Sequence, residues 1–396
     1  MPIFPAKDQF PNQDAAPPNP ISTLMTRVLY LSHCGSSIGG GERQLYYLVT
    51  HLDFDRYQPI VVCPDDGIFA DQLRCAKIPT IILPLPAWRK AKSLPFRHIA
   101  ASRLVHFAKQ QRIQLVHTSD SWLTPYVWRV KEQLGVPAIS HIRNVIEPRR
   151  VGKYPLGRMD RLIAISQQTK APLVSAGIAP EKIDVILNCV DLSAFGSCAE
   201  KRNVLREEFP LRRFLVGMVG RIEPFKRQKA FVQAASYIAK QSADISFLIV
   251  GGVHPISEHA TYAQELHQMI ADLQLSDHIV FTGHRDDMPR VMQGLDLLVT
   301  ASAGSVIAEA MAAGKPVVGT PIGSASEMID NGVTGWITPL EPINQMAQKI
   351  LQVAQDANLC ERMGQEGRGR VERLFRVTEH VRQVQAVYDE TLAVGA

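Results

Sequence analysis

A chain of 396 residues, 46% hydrophobic and 20% charged, has room for two domains and the balance of an ordinary globular protein, which excludes a disordered or fibrous chain. No apolar run approaches the roughly eighteen residues that a membrane-spanning helix needs. The six cysteines (Cys34, Cys63, Cys75, Cys189, Cys198 and Cys360) lack CxxC or His-Cys spacing, so neither a zinc site nor a disulfide framework is indicated, and a reducing cytoplasm fits best.

In chain order, residues 1–26 hold Pro2, Pro5, Pro11, Pro17, Pro18 and Pro20 without a basic start or an apolar centre, and read as a flexible leader rather than a signal peptide. Short β-branched apolar runs follow near 27–32, 57–63, 79–84, 113–117, 137–142, 161–166 and 182–188. A second series falls near 214–219, 245–250, 278–282, 296–300, 315–320 and 334–337. Such runs, alternating with helical patterns, predict parallel sheets covered on both faces. Two series predict an α/β chain of two doubly wound, Rossmann-like domains, 27–190 and 213–375, joined by a polar linker over 191–212 that carries Ser193, Gly196 and Ser197. Residues 376–390 form a last helical pattern. In sheets of this kind ligands bind beyond the carboxyl ends of the strands. Ser32, His33, His117, Thr118, His141, Ser166 and Asn188 are polar residues at those ends in the first half and outline one wall of a cleft.

Three stretches hold the chemistry. Gly35 to Glu42 is glycine-rich and opens a helix at Arg43; such a loop lets backbone approach a ligand, and helix amides attract anions. The same pattern also describes a tight strand-to-helix turn, and its spacing is not the GxGxxG of a dinucleotide site even though Asp65 and Asp66 follow the second strand. Arg221 and Lys226 lie five apart across the turn after the 214–219 strand, so both can converge on one anion, and a guanidinium with an ammonium suits a diphosphate. Ser302-Ala303-Gly304-Ser305 predicts a helix N-terminus, with Glu309 fixed on one side of that helix before the turn at Gly314. Asp53-Phe54-Asp55 is the only DxD sequence and reads as a turn, with no metal implied.

The run Gly304 to Val318, the Val219-Gly220-Arg221…Lys226 turn, the Gly39-Gly40-Gly41-Glu42 loop and the segment from Ser166 to Asp191 together resemble family 4 (group 1) glycosyltransferases, retaining enzymes of the GT-B fold. The resemblance spans most of residues 27–390. It implies a C-terminal nucleotide-sugar domain, an N-terminal acceptor domain, and a final helix, 376–396, crossing back onto the first domain. It implies that Gly40 and Gly41 face acceptor and donor phosphate, and that Arg221, Lys226 and the amides near Gly304, Ser305 and Val306 stabilise the leaving diphosphate. Gly283 and His284, in Val280-Phe281-Thr282-Gly283-His284, correspond to a base-binding loop, and Glu309 to the acid that accepts hydrogen bonds from ribose. His141 aligns with a histidine near the transferred sugar. The family's other acid, eight residues before Glu309, is Ala301 here, in a segment about four residues shorter than usual; Asp286 or Asp287 is the alternative source of a carboxylate. Cys189 replaces the usual glycine of an Asn-Gly-Val-Asp run and Arg227 another glycine. No cofactor or metal is implied beyond the nucleoside diphosphate sugar.

The net charge of +5 conceals an asymmetry: residues 86–161 carry fifteen Lys/Arg against Asp120, Glu132, Glu147 and Asp160. That predicts an anionic partner for the first half. Trp88, Arg89, Lys90, Lys92 and Arg97 interleave aromatic and basic residues, as an anionic membrane surface or a lipid-linked or phosphorylated acceptor would require; nucleic acid has no supporting motif. The expected activity is metal-independent hexosyl transfer with retention, in polysaccharide or glycolipid synthesis, by a cytoplasmic protein that can lie at the inner face of the membrane. Two rival readings are a non-catalytic relative that binds or scaffolds, because of Ala301, and a nucleotide-sugar epimerase.

Overall fold

The computed structural model describes residues 25–90, 93–195, 203–253, 257–302 and 304–395. Its first sheet comprises β1 (Thr26–Leu31), β2 (Tyr57–Cys63), β3 (Thr80–Ile82), β4 (Leu115–Thr118), β5 (Ala138–Ile142), β6 (Arg161–Ala164) and β7 (Ile183–Val185), in the spatial order β3-β2-β1-β4-β5-β6-β7. The second comprises β8 (Phe214–Val219), β9 (Ile245–Val250), β10 (Ile279–Gly283), β11 (Leu297–Thr300), β12 (Val317–Gly319) and β13 (Gly335–Ile337), in the order β10-β9-β8-β11-β12-β13. Every recorded pairing is parallel. Both sheets reverse their order beside the first strand, at β1/β4 and β8/β11, and ligand crevices form at such switch points.

Strand alternation explains the layers. Leu29 and Leu31 of β1 point to one face, against Leu104, Tyr126 and Val127, while Val28 and Tyr30 point to the other, against Leu45, Leu48 and Tyr388. In the second sheet Val216 and Met218 pack on Phe231 and Phe247, and Leu215 packs on Leu298 and Ala308. Each such side chain, fully removed from water, contributes about 1.5–3 kcal/mol before entropy is set against it.

The strands expected at 79–84, 182–188 and 315–320 shrink to three residues each. Pro84 follows β3 and Pro316 precedes β12, each removing a ladder donor, and a 3₁₀ turn at Pro180–Lys182 occupies the start of the third. The linker also differs from expectation. Residues 196–202, including Gly196, Ser197 and Cys198, lie outside the described residues, as does most of the leader. Beyond them Asn203 caps a short helix, Val204–Glu208, and donates to Gly294 O at 2.9 Å, so Val204 and Leu205 are buried in the second domain.

The C-terminal helix, Val377–Gly395, lies on the first domain. Val377, Val381, Val384, Val387 and Tyr388 enter the core beneath β1, and a bridge between Val190 and Arg376 marks the crossing. The Tyr388 hydroxyl meets that of Tyr30 at 3.0 Å and His117 Nδ1 at 2.6 Å.

Candidate active site

The second-domain wall is built from three strand ends. After β8, Gly220 adopts φ +150°, and a Cβ there would lie 3.3 Å from Lys226 Cδ and Cε, so the glycine leaves room for the lysine stem. Lys226 ends a 3₁₀ turn, Pro224–Lys226, and its Nζ is 3.9 Å from where a Cβ of Gly304 would stand. Burial holds the Lys226 ammonium below the usual lysine range, with Glu223 opposing that shift and Arg221 adding to it. Arg221 sits at the rim, with 62% of its side chain exposed, and reaches Glu223 Oε1 at 3.3 Å. After β11, Ser305 begins the helix Val306–Ala312, and Glu309 is only 4% exposed. Ser305 Oγ donates to Glu309 Oε1 at 3.1 Å. At the end of β10, Gly283 turns with φ +72° and accepts from Gly251 N at 2.9 Å; a Cβ on Gly252 would touch His284 Cβ at 3.4 Å.

The first-domain wall is the glycine loop. Asp65 holds it from behind, accepting from Gly35 N at 2.5 Å, Ser36 N at 3.2 Å and Ser36 Oγ at 2.8 Å. Glu42 folds back to accept from Gly39 N at 3.0 Å, which fixes the start of the helix Gly40–Thr50. Gly40 then faces the other domain, its Cβ position 3.9 Å from Ser305 Oγ, and Gly41 faces Arg143, 3.7 Å from its Cδ. Arg43 Nη1 crosses the cleft to Glu309 Oε1 at 3.1 Å. Gly40, Gly304, Ser305, Lys226 and Glu309 therefore form one locus between the domains.

Sequence reasoning passed over two basic residues at or beside this locus. Arg43 stood only as a helix start, and Arg143 was not singled out. Arg143 donates to Ser119 O at 3.0 Å and Asn188 Oδ1 at 3.1 Å, and burial lowers its guanidinium to about 10. The signal for both was available: each is a basic residue at the carboxyl end of a first-domain strand or in the helix that follows one.

His141, which the resemblance puts near the transferred sugar, lies beside Arg143 at the end of β5. It is fully buried, stacked between His117 at 5.7 Å and His380 at 6.3 Å, with its Nδ1 3.4 Å from Arg143 Nη2. Arg143, two residues on and just past the end of β5, lies on the same side as His141 and reaches Gly41 of the glycine loop. Burial, then the Arg143 charge, pushes the His141 imidazole well below its usual range. Ala301 is likewise fully buried and packs in the core of the second domain. Of the two acids considered in its stead, Asp287 is engaged by Arg285 at 2.8 Å, and Asp286 lies at the surface beside His284.

The basic-aromatic segment does not stand out as one exposed stripe. Trp88 packs edge-on against Tyr126 at 5.1 Å, and Arg97 donates to Trp88 O at 2.6 Å. Arg89 lies over the rings of Trp122, at 4.2 Å, and Tyr154, at 4.7 Å. Lys90 is exposed, and Lys92 lies outside the described residues. No helix among the described residues is long and apolar enough to cross a membrane.

Comparison with known proteins agrees with this architecture. A galactosyltransferase of Escherichia coli, UDP-Gal:alpha-D-GlcNAc-diphosphoundecaprenol alpha-1,3-galactosyltransferase, is 25% identical over 363 residues, covering 85% of this chain and 90% of its own. The lipopolysaccharide core biosynthesis mannosyltransferase LpsB of Rhizobium meliloti (strain 1021) is 27% identical over 248 residues, 61% of this chain and 68% of its own. Among solved structures, Anabaena Alr3699/HepE in complex with UDP and glucose superposes with a TM-score of 0.80 at 22% identity, over 92% of this chain and all of that one. Residues 38–194 match the family described as Glycosyltransferase Family 4 and residues 201–370 that described as Glycosyl transferases group 1. With its first domain of the one kind and its second of the other, the chain belongs to the group 1 glycosyltransferases of the two-domain GT-B fold.

Proposed function

We propose that this protein transfers a hexose from a nucleoside diphosphate sugar to an acceptor hydroxyl in glycan synthesis. The observation that carries the reading is the single locus at which Lys226, Gly304, Ser305 and Glu309 of one domain meet Gly40 and Arg43 of the other. Lys226 and Arg221 supply positive charge for the leaving diphosphate, and each well-placed donor of this kind is worth about 2.7–4 kcal/mol in the transition state. An ammonium already weakened by burial gains a partner when the diphosphate arrives, which favours its charged form there. Glu309 takes the ribose hydroxyls, the base rests on the backbone near Gly283 and His284, and Arg43 is released from Glu309 toward the donor. Two protein cations serve where other transferases use a divalent ion, so the transfer needs no metal. The acceptor hydroxyl attacks from the face the diphosphate leaves, which retains the anomeric configuration.

The acceptor is anionic, in keeping with the fifteen Lys/Arg of residues 86–161 and with relatives whose names specify a diphosphoundecaprenol-linked sugar or an inositol phosphate. A membrane surface that carries such an acceptor is the place of work that this charge favours, on the cytoplasmic side, where nucleotide sugars are made. One observation favours a non-catalytic relative instead: Ala301, buried in the core, contributes no acid to the sugar.

The test is incubation with UDP-galactose, UDP-glucose, UDP-N-acetylglucosamine or GDP-mannose and a polyprenyl-diphosphate N-acetylglucosamine acceptor. An α-linked product from one of these α-donors is expected. Failure to release nucleotide from any of them would place the protein with the non-catalytic relatives, and free epimerised sugar without acceptor would make it an epimerase.

A further inference from the structure

One constellation in the first domain is not used by the donor site. Asp120 follows β4, at the switch point beside β1, and caps the 3₁₀ turn Ser121–Leu123: its Oδ1 accepts from Trp122 N at 2.8 Å and from Ser121 Oγ at 3.4 Å. Its Oδ2 accepts no hydrogen bond among the described residues, and His33, at the end of β1, and Arg143 are the basic groups that face it. The turn holds Trp122 with 47% of its surface exposed, on a strand end where large apolar side chains are normally covered. Tyr154 meets Trp122 edge-on at 5.7 Å.

Arg89 completes the group. Its guanidinium stands over both aromatic rings, at 4.2 and 4.7 Å, and no carboxylate lies within ion-pair distance of it among the described residues. A cation held by two rings yet open to solvent has lost its rotamer freedom before any ligand arrives, which favours bidentate capture of a phosphate. The position is right for the other substrate. Ser119, the neighbour of Asp120, is bonded through its carbonyl to Arg143 at 3.0 Å, and Arg143 is the side chain that faces Gly41 in the glycine loop. The constellation is therefore on the cleft side of the first sheet, adjoining the donor locus rather than part of it.

From this juxtaposition we propose that Asp120, Trp122, Tyr154 and Arg89 form the acceptor subsite and that it takes a phosphorylated sugar. The exposed Trp122 ring carries the apolar face of the sugar, the unengaged Asp120 oxygen accepts from a sugar hydroxyl, and Arg89 grips the phosphate. The inference rests on the reading of the protein as a transferase, and binding measurements separate the two.

The probe is N-acetylglucosamine 1-phosphate, titrated into the full chain in the presence of UDP and followed by tryptophan fluorescence and calorimetry. Saturable binding is expected, weakened at least tenfold by Arg89→Gln and by Asp120→Asn. Trp122→Phe should remove most of the fluorescence response. The affinity for UDP should stay the same in all three variants, since none touches the Lys226–Glu309 locus. Inorganic phosphate and vesicles of phosphatidylglycerol and phosphatidylcholine form the control arms. The proposal is overturned if the sugar phosphate binds no better than inorganic phosphate, if the variants bind it like wild type, or if Arg89→Gln loses vesicle binding instead. A wild-type protein that binds the sugar phosphate but no nucleotide would uphold the subsite and refute the transferase reading. Arg89 and Trp122 are exposed, so their variants should melt like wild type; Asp120→Asn preserves the cap on Trp122 N.

Discussion

Glu309 has 4% of its surface in contact with water, and two donors satisfy its buried carboxyl group: Ser305 Oγ and Arg43 Nη1, both at 3.1 Å. A ribose diol offers the same chemistry as those two donors, which is why an acid here suits a nucleotide. Charge-assisted hydrogen bonds are worth about 1.5–3 kcal/mol each, and 1.4 kcal/mol is tenfold in affinity. Glu309→Gln should therefore raise the dissociation constant of the cognate nucleoside diphosphate about 10- to 100-fold by calorimetry; an unchanged constant would remove Glu309 from the ribose site. Lys226 makes a different demand. Burial already disfavours its ammonium, so Lys226→Ala should leave the melting temperature equal to or higher than wild type while turnover falls about 10²- to 10³-fold. Turnover within a few-fold of wild type would sink its role at the diphosphate.

At the scale of elements, the C-terminal helix is tied to the first sheet by polar groups as well as by valines. Tyr388→Phe would leave the Tyr30 hydroxyl and His117 Nδ1 without their buried partner, a loss of about 1–3 kcal/mol, seen as a lower melting temperature. The stacked histidines give the element a pH dependence whose sign follows from burial. Burial pushes His380 down to about 4 and His117 to about 3, so the folded protein leaves both neutral at pH values where the unfolded chain, with ordinary values near 6.5, takes up protons. Folded values below unfolded ones mean stability that is complete above about pH 6.5 and is lost as pH falls toward 4 and then 3. Each histidine contributes a slope of about 1.4 kcal/mol per pH unit within that window. Denaturant unfolding at pH 7 and pH 5 should show this loss, and His380→Gln, which can keep the bond to Leu187 O, should reduce it. Equal stability at both pH values in wild type would contradict the account.

The strands were legible in the sequence because a parallel strand buried on both faces must be apolar along its length, and runs such as Ile245–Val250 admit little else. The Gly220–Lys226 turn was legible because its partners are close in sequence and its glycine has a steric reason. The enclosure of His141 between His117 and His380 was not legible because His380 arrives from the C-terminal helix, far away in sequence. The Arg43–Glu309 pair was invisible for another reason: 266 residues separate the two, and only the docking of two domains brings them together. Arg89 on Trp122 and Tyr154 is the same kind of contact within one domain.

Seen as a whole molecule, two sheets present their switch points to one cleft, and the charge is divided between them: a first domain with a basic stretch over residues 86–161, and a second domain with Lys226 and Arg221 at the end of β8, the division that the proposed anionic acceptor and diphosphate donor call for. The proposal that those cations balance the diphosphate predicts that excess EDTA leaves transfer unchanged; loss of activity restored by a divalent ion would show that the charge is balanced otherwise. The most direct test of the central claim is calorimetry of UDP, GDP and ADP with the wild-type protein and with Lys226→Ala. One of the three should bind wild type selectively and the variant at least tenfold more weakly. A protein that binds none of them, or a variant that binds as tightly as wild type, would show that the cleft is not a donor site.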